Sequence, residues 1–302
     1  MNIVVMGSGA IGSLFGALLS TKHTVTLIGR HDHVQAIKTD GLRIHGKTEV
    51  VVRPSVAKSI KEVYPLIDLL LFTVKSYDTL IASRQLALHI DEQTPILSLQ
   101  NGLGNVEKIS RFIPQRQILA GVTTHGSIFP KPGTIYHTGF GDTTIGEIHG
   151  KTTGRVQQIC DTFNEVGITT TISKNIVAAL WEKSIINSSI NPLTAFFQCK
   201  NGSLLQNPLL ESIVERVCEE STAIAQTNGF PPSSQNMVQK TKQVICETAH
   251  NQSSMLQSIQ KGKRTEIDAI NGKLVEVGKK HHVETMLNEL LLYLVKSRVP
   301  ST

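Results

Sequence analysis

The sequence is short of the residues that would mark a specialised class. It has four cysteines in 302 residues, at positions 160, 199, 218 and 246. No pair has the spacing of a zinc site or of a Cys-x-x-Cys redox pair, so the thiols are read as reduced and no metal centre is expected. Aromatic residues make up only 5% of the chain, and they do not alternate with lysine and arginine in any stretch. A nucleic-acid partner is therefore not expected. Long apolar runs are missing too. A membrane helix needs roughly 18 such residues, and the best stretch, 66–74, is short and contains Asp68. No basic segment precedes an apolar one at the start, so the expectation is a chain without a signal peptide, working in the cytoplasm and not in a membrane. Charge of one sign is in modest excess, +6 overall with no dense block. That excess suits a small anionic ligand.

What is present is the composition of an ordinary folded protein, 40% hydrophobic and 18% charged, which excludes a disordered chain. The length leaves room for two domains. The first apolar run, 3–6, leads into Gly7-Ser8-Gly9-Ala10-Ile11-Gly12, then a helical pattern on Ile11, Leu14, Phe15, Leu18 and Leu19, then a second strand over 24–28. Strand, Gly-x-Gly-x-x-Gly, helix and strand within about 30 residues form the dinucleotide fingerprint. The three glycines serve a tight turn, close approach of the backbone to a pyrophosphate, and close packing of helix on strand. The helix N-terminus favours the negative charge. The second strand ends in Gly29-Arg30-His31, where an NAD binder usually carries an acidic residue. A cation there suits a 2′-phosphate, so NADP is favoured. Asp32, two residues beyond, leaves NAD as the alternative.

Further strands are expected at 67–74, 95–99 and 118–122, ending at Lys75, at Gln100-Asn101-Gly102 and ahead of His125-Gly-Ser127. In an open parallel sheet ligands bind beyond the carboxyl ends of the strands, which makes Lys75, Asn101 and Ser127 candidates. Strand ends are also loops, and loops are polar in any case. Residues 133–148 are expected to form a hairpin flanking the main sheet, followed by a helix over 156–166 and a last strand over 169–172. Beyond that the pattern is helical, over 175–198, 208–228, 234–248, 265–281 and 285–297, with breaks at Gly202, Gly229 and Gly262. The expected architecture is thus an α/β nucleotide-binding domain, 1–172, followed by an all-α domain, 173–302.

Within the first of those helices, Lys183, Asn187 and Asn191 recur every four residues and share one face, while Trp181, Ile185, Ile186 and Ile190 lie away from that row. An amine in line with two amides is an unusual surface, although a lysine on a half-buried helix can also simply snorkel to water. Thr265 with Asp268 resembles an N-terminal cap, which would put Glu266 in a first helical turn, where a carboxylate stabilises the helix dipole.

These stretches together resemble the ketopantoate reductase (2-dehydropantoate 2-reductase) family, over nearly the whole chain. The matching residues are 7–12, Lys75, Asn101-Gly102, Thr124-His125, Leu180-Trp-Glu-Lys183, Asn187, Asn191-Pro-Leu-Thr-Ala195, Asn201-Gly202, Ser253-Ser-Met-Leu256 and Thr265-Glu-Ile-Asp268. The resemblance implies a Rossmann-type domain followed by a helical domain like the C-terminal part of 6-phosphogluconate dehydrogenase. It implies NADPH-dependent reduction of 2-dehydropantoate to (R)-pantoate, toward pantothenate and coenzyme A, without a metal. Lys183 would be the general acid. Asn187, Asn191, Asn201 and Ser254 would hold the substrate. Gly7, Ser8, Gly9, Ala10, Ile11, Gly12, Arg30, Lys75, Asn101, Ser127 and Glu266 would contact the cofactor, with Glu266 also near the substrate. The departures are Gln100, where relatives vary, and Ser127, where a small alanine can stand. Reduction of another 2-oxo acid on the same fold, and a non-catalytic NADP sensor, are the alternatives. A homodimer stays open.

The residues suit the chemistry independently of the name. Reducing a ketone needs a hydride for carbon and a proton for oxygen. The nicotinamide carries the first, and a protonated lysine can polarise the carbonyl and protonate the alkoxide. Neutral asparagines and a serine bind a hydroxy-carboxylate without adding negative charge.

Overall fold

The computed structural model describes residues 1–63, 66–230, 232 and 236–298. The chain forms two compact units. The first consists of Met1–Gln100 with Asn105–Ile176, and the second of Asn101–Gly104 with the chain from Val177 onward.

The first unit runs β1 (Asn2–Met6), α1 (Ala10–Leu19), β2 (Thr24–Ile28), α2 (His31–Asp40), β3 (Leu42–Gly46), β4 (Val50–Val52), β5 (Ser55–Ala57), β6 (Leu69–Phe72), α3 (Thr79–Leu86), β7 (Ile96–Ser98), α4 (Asn105–Ile109), β8 (Ile118–Thr123), β9 (Gly126–Lys131), β10 (Thr134–Gly139), β11 (Thr143–Glu147), α5 (Gly154–Asn164) and β12 (Thr170–Ile172). The main sheet has the order β12-β11-β8-β7-β6-β1-β2-β5, with β11 antiparallel to β8 and the other pairs parallel. All four residues of β6 and four of the five in β1 are buried. Strands covered on both faces are continuous apolar runs without alternation, which is why they were legible as short hydrophobic stretches. The chain builds outward from β1 in one direction and returns at β6 to build the other way. The carboxyl ends of β1 and β6 therefore flank the switch point where such sheets bind ligands.

A second sheet, β4-β3-β10-β9, belongs to the same unit. Helix α1 touches β1 and β2 of the main sheet and β3, β9 and β10 of the smaller one. With sheets on two sides it has no solvent face, and its sequence, AIGSLFGALL, carries no charge. The expected hairpin over 133–148 is corrected by this arrangement. The hairpin is β9–β10, from Gly126 to Gly139, whereas β11 leaves it for the main sheet beside β8. The alternation of β10, with Ile135 and His137 buried and Tyr136 exposed, fits a sheet covered on one face only, unlike β11.

The second unit holds α6 (Ile176–Phe197), α7 (Ser203–Gln206), α8 (Pro208–Thr227), α9 (Met237–Glu247), α10 (Ser254–Gln260), α11 (Asn271–Lys280) and α12 (Met286–Arg298). The start of α8 is set by the Asn207 side chain, which accepts from the Leu209 N–H at 3.0 Å, with Pro208 at the first helical position, a pairing that suits a helix N-terminus. Helix α9 begins at Met237, and residues 234 and 235 of its expected span lie outside the described residues. The helix expected over 265–281 begins only at Asn271, after a run of turns. Thr265 does not cap it, and Glu266 is not in its first turn. The physical reason is a tertiary bond. The Ala269 carbonyl accepts the Leu103 N–H at 2.8 Å and so is drawn out of a helical ladder. Among the described residues no helix is long and apolar enough to cross a membrane.

Candidate active site

The turn of the glycine loop in the first unit is formed by backbone hydrogen bonds. The N–H groups of Gly7 and Ser8 both donate to the Ile28 carbonyl, at 3.1 and 2.9 Å, and the Gly9 N–H turns back to the Gly7 carbonyl at 2.7 Å. Gly7 has φ +106°, and a Cβ there would lie 2.6 Å from the Val74 nitrogen. A Cβ on Gly12 would lie 2.2 Å from the Gly7 carbonyl oxygen. Gly9 differs, because a Cβ there would meet nothing within 4 Å. The loop is thus closed behind Gly7 and Gly12 and open in front of Gly9. It lies at the N-terminus of α1, whose first-turn N–H groups lack intrahelical acceptors. That is a fit for a pyrophosphate.

Around this loop the structure gathers several expected residues. The Thr73 hydroxyl donates to the Gly7 carbonyl at 2.8 Å, tying the segment that carries Lys75 to the glycine turn. Gln100, which stood out only as a departure, has a structural task. Its amide donates to the Val74 carbonyl and to the Thr79 hydroxyl, both at 2.8 Å. It thereby anchors the backbone next to Lys75. Arg30 is exposed and occupies the N-cap of α2. A Cβ on Gly29 would fall 1.9 Å from the Ser8 hydroxyl, so Arg30 follows directly on a residue that touches the glycine loop. Asp32 sits in the first turn of α2, where a carboxylate stabilises the helix. Ser127 lies on β9, and its hydroxyl is buried without a hydrogen-bond partner among the described residues.

His125 is buried. Its Nδ1 lies 3.3 Å from His137 Nε2, and its ring meets Phe15 edge-on. Burial, with the neighbouring His137 adding to it, pushes His125 down to about 4. It is neutral near pH 7 and brings no positive charge to this end of the sheet. No group of three His, Cys, Asp or Glu is placed to hold a metal among the described residues.

In the second unit, α6 carries Lys183, Asn187 and Asn191 on successive turns, about 6 Å apart along the axis. Lys183 and Asn187 are half-buried and Asn191 is buried. Trp181, Ile185 and Ile190 fill the core behind them. Pro192 stands inside this helix. It has no N–H, so the carbonyl of Ser188, four residues earlier, loses its intrahelical donor. The Asn271 amide supplies one, donating to Ser188 O at 3.1 Å and to Asn288 Oδ1 at 2.9 Å. Asn288 in turn donates to Ser221 at 3.0 Å and to Glu220 at 2.8 Å, and Ser221 meets the Ser188 hydroxyl at 3.0 Å. This buried network braces α6 between Asn187 and Asn191. Nothing local in the sequence pointed to it beyond the proline.

The other expected substrate residues are held by similar links. The Thr194 hydroxyl donates to Ser253 Oγ at 2.7 Å. Ser253 caps α10 by accepting from Leu256 N–H at 3.1 Å, which fixes the position of Ser254. Ser254 and Glu266 lie close together, with Met255, Ser258 and Ile270 beside them. Asn201 donates through its amide to Thr248 Oγ1 at 2.9 Å, and its buried Oδ1 has no partner among the described residues. Asn101 belongs to the short segment counted with the helical unit. The adjacent Gly102 has φ +82°, and a Cβ on it would lie 2.6 Å from the Ala269 carbonyl oxygen.

Comparison with known proteins bears on both units. The family model described as ketopantoate reductase PanE/ApbA matches residues 3–150, and its C-terminal counterpart matches 175–299. A 2-dehydropantoate 2-reductase from Pyrococcus horikoshii is 41% identical over 301 residues, covering 99% of this chain and 97% of that one. A PanE/ApbA family ketopantoate reductase from Ralstonia eutropha JMP134, solved by crystallography, superposes with a TM-score of 0.91 at 30% identity, over 99% of this chain and 98% of that one. A D-mandelate dehydrogenase solved with NADH and anilino(oxo)acetate superposes with a TM-score of 0.93 at 26% identity, again over 99% and 98%.

Proposed function

The chain belongs to the ketopantoate reductase family, and on that premise we propose that it reduces 2-dehydropantoate to (R)-pantoate with NADPH, in the cytoplasm, toward pantothenate and coenzyme A. The observation that carries the reading is the row on α6, where one amine stands in line with two neutral amides. Relatives named 2-dehydropantoate 2-reductase that match this chain over nearly its whole length support the substrate.

In this reading residues 7–12 cradle the pyrophosphate, with Lys75, Asn101, Ser127 and Glu266 completing the cofactor contacts. When bound, the nicotinamide supplies a hydride to the keto carbon. Lys183 polarises the carbonyl oxygen and delivers the proton that the forming alkoxide takes up. Asn187, Asn191, Asn201 and Ser254 hold the hydroxyl and carboxylate of the substrate, the unpartnered Oδ1 of Asn201 accepting from the hydroxyl. The preference for NADPH rests on Arg30 at the N-cap of α2 and on Asp32 serving the first turn of that helix. The D-mandelate dehydrogenase with NADH favours a second reading, an NADH-dependent reductase of a different 2-oxo acid.

Oxidation of NADPH and of NADH followed at 340 nm, with 2-dehydropantoate and a panel of other 2-oxo acids, separates the two. The highest kcat/KM is expected for 2-dehydropantoate with NADPH. A larger value for another 2-oxo acid, or for NADH, overturns the corresponding half of the proposal.

A further inference from the structure

One buried histidine in the first unit has both ring nitrogens engaged, and none of the roles above uses it. His33 is 3% exposed and lies in the first turn of α2. Its Nδ1 is 2.9 Å from the backbone nitrogen of Gly133, at the turn between β9 and β10. A backbone N–H only donates, so Nδ1 carries the lone pair and Nε2 carries the proton. Nε2 lies 3.0 Å from the Ser13 hydroxyl, which must accept. The Ser13 hydroxyl hydrogen then goes to the Ser8 carbonyl, also at 3.0 Å. The direction of every bond in this chain follows from its first donor. The ring is covered by Phe129 at 4.7 Å between centroids. Burial holds its pKa down to about 4, in keeping with a neutral imidazole of one tautomer.

The end of the chain is what matters. The Ser8 carbonyl and the Gly9 N–H share one peptide plane, and peptide planes are rigid. The Gly9 N–H at one end of this plane turns back to the Gly7 carbonyl, and Ser13 at the other end supplies the second tether that stops the plane from rotating. The open side of Gly9 then faces outward. We propose that His33 is a positioning residue for the dinucleotide, setting the Ser8–Gly9 peptide through Ser13. The inference rests on residues 7–12 being the dinucleotide loop. The loop meets the part common to NADPH and NADH, so His33 governs affinity for both and leaves the ratio between them alone.

The test uses the full chain and two substitutions that divide the histidine's tasks. His33→Gln sets an amide nitrogen near the place of Nε2, keeping the donor to Ser13 and giving up the acceptor for Gly133. His33→Asn keeps an acceptor near the place of Nδ1 and cannot reach Ser13. Dissociation constants for NADPH and NADH are measured by nucleotide fluorescence, with Tm alongside. His33→Asn is expected to weaken both nucleotides by about three- to ten-fold, the loss of roughly one hydrogen bond, at an unchanged ratio. His33→Gln is expected to stay closer to wild type although its Tm also falls. Ser13→Ala changes no residue of α2 and is expected to reproduce the affinity loss of His33→Asn, which keeps the test decisive if a His33 variant misfolds. Equal losses in the Gln and Asn variants, a loss confined to NADPH, or a Ser13→Ala protein with wild-type affinity would each overturn the proposal. A wild-type protein that binds neither nucleotide would remove the dinucleotide reading, and this inference with it.

Discussion

The two units hold their functional groups by different means. In the first, the groups that would meet the pyrophosphate are backbone, and they are shaped by what is missing: no Cβ at Gly7 or Gly12, where one would overlap backbone atoms at 2.6 and 2.2 Å. In the second, the groups that would meet the substrate are side chains on α6, kept in place from behind by Asn271, Asn288, Ser221 and Glu220. A backbone site needs glycines at fixed spacing and is visible in six consecutive residues. A side-chain site needs support from distant residues, Ser221 standing 33 and Asn271 83 positions from Ser188, and only the supported row is visible locally.

That contrast implies a division of labour, and the first way to break it is at Lys183. Lys183→Ala should lower kcat by about 10²- to 10⁴-fold, the usual contribution of a positioned general acid. NADPH affinity, read by fluorescence, should stay close to wild type. If nucleotide binding falls with kcat, Lys183 serves the cofactor as well as the proton. The matching change on the first unit is Arg30→Ala. It should weaken NADPH by about ten- to hundred-fold, the worth of a charge-assisted bond to phosphate, with NADH little changed. Equal losses for both nucleotides would mean that the arginine does not read the 2′-phosphate.

The support behind α6 makes a smaller but more specific prediction. Asn271→Ala should cost about 1–3 kcal/mol, measured by denaturant unfolding, because buried Ser188 O and Asn288 lose a donor. Pro192→Ala returns an N–H to the helix at the position that Ser188 O lacks. In that background Asn271→Ala should cost measurably less, a coupling that a double-mutant cycle reads directly. Additive costs would show that the proline and the asparagine are unrelated. A separate expected effect is on pH. His33 and His125 are held near 4 by burial, and burial also lowers His137. The unfolded chain takes up these protons near pH 6.5, before the folded one does. The stability these neutral groups permit is therefore fully present above about 6.5 and is lost as pH falls toward 4. A Tm that holds constant across that window would contradict it.

Several elements were legible because their cause is local. The strand over 24–28 matches β2 residue for residue, and the helices over 175–198 and 208–228 match α6 and α8 to within a residue at each end. Their apolar spacing, Pro208 and the Asn207 cap lie within the segment itself. The errors fall where a distant partner intervenes. Residues 265–270 have a helical pattern and a plausible cap, yet Leu103 takes the Ala269 carbonyl. Residues 133–148 have a hairpin's composition, yet β11 finds a better-buried place beside β8. Residues 31–57, which hold α2 and three short strands, drew no expectation, since each strand has only three to five residues.

The sequence alone determined the class of fold, the dinucleotide loop and the row of Lys183, Asn187 and Asn191. Helical and strand periodicity, glycine sterics and proline's missing donor act within a few residues of chain. Only the tertiary structure decided which carbonyl each side chain reaches. His33 is bonded to Gly133 and Ser13, Gln100 to Val74, and Asn271 to Ser188, across separations of 20 to 100 residues. A buried polar atom must find a partner. Which partner it finds depends on which segments packing brings within about 3 Å, and no local pattern in a single sequence carries that information.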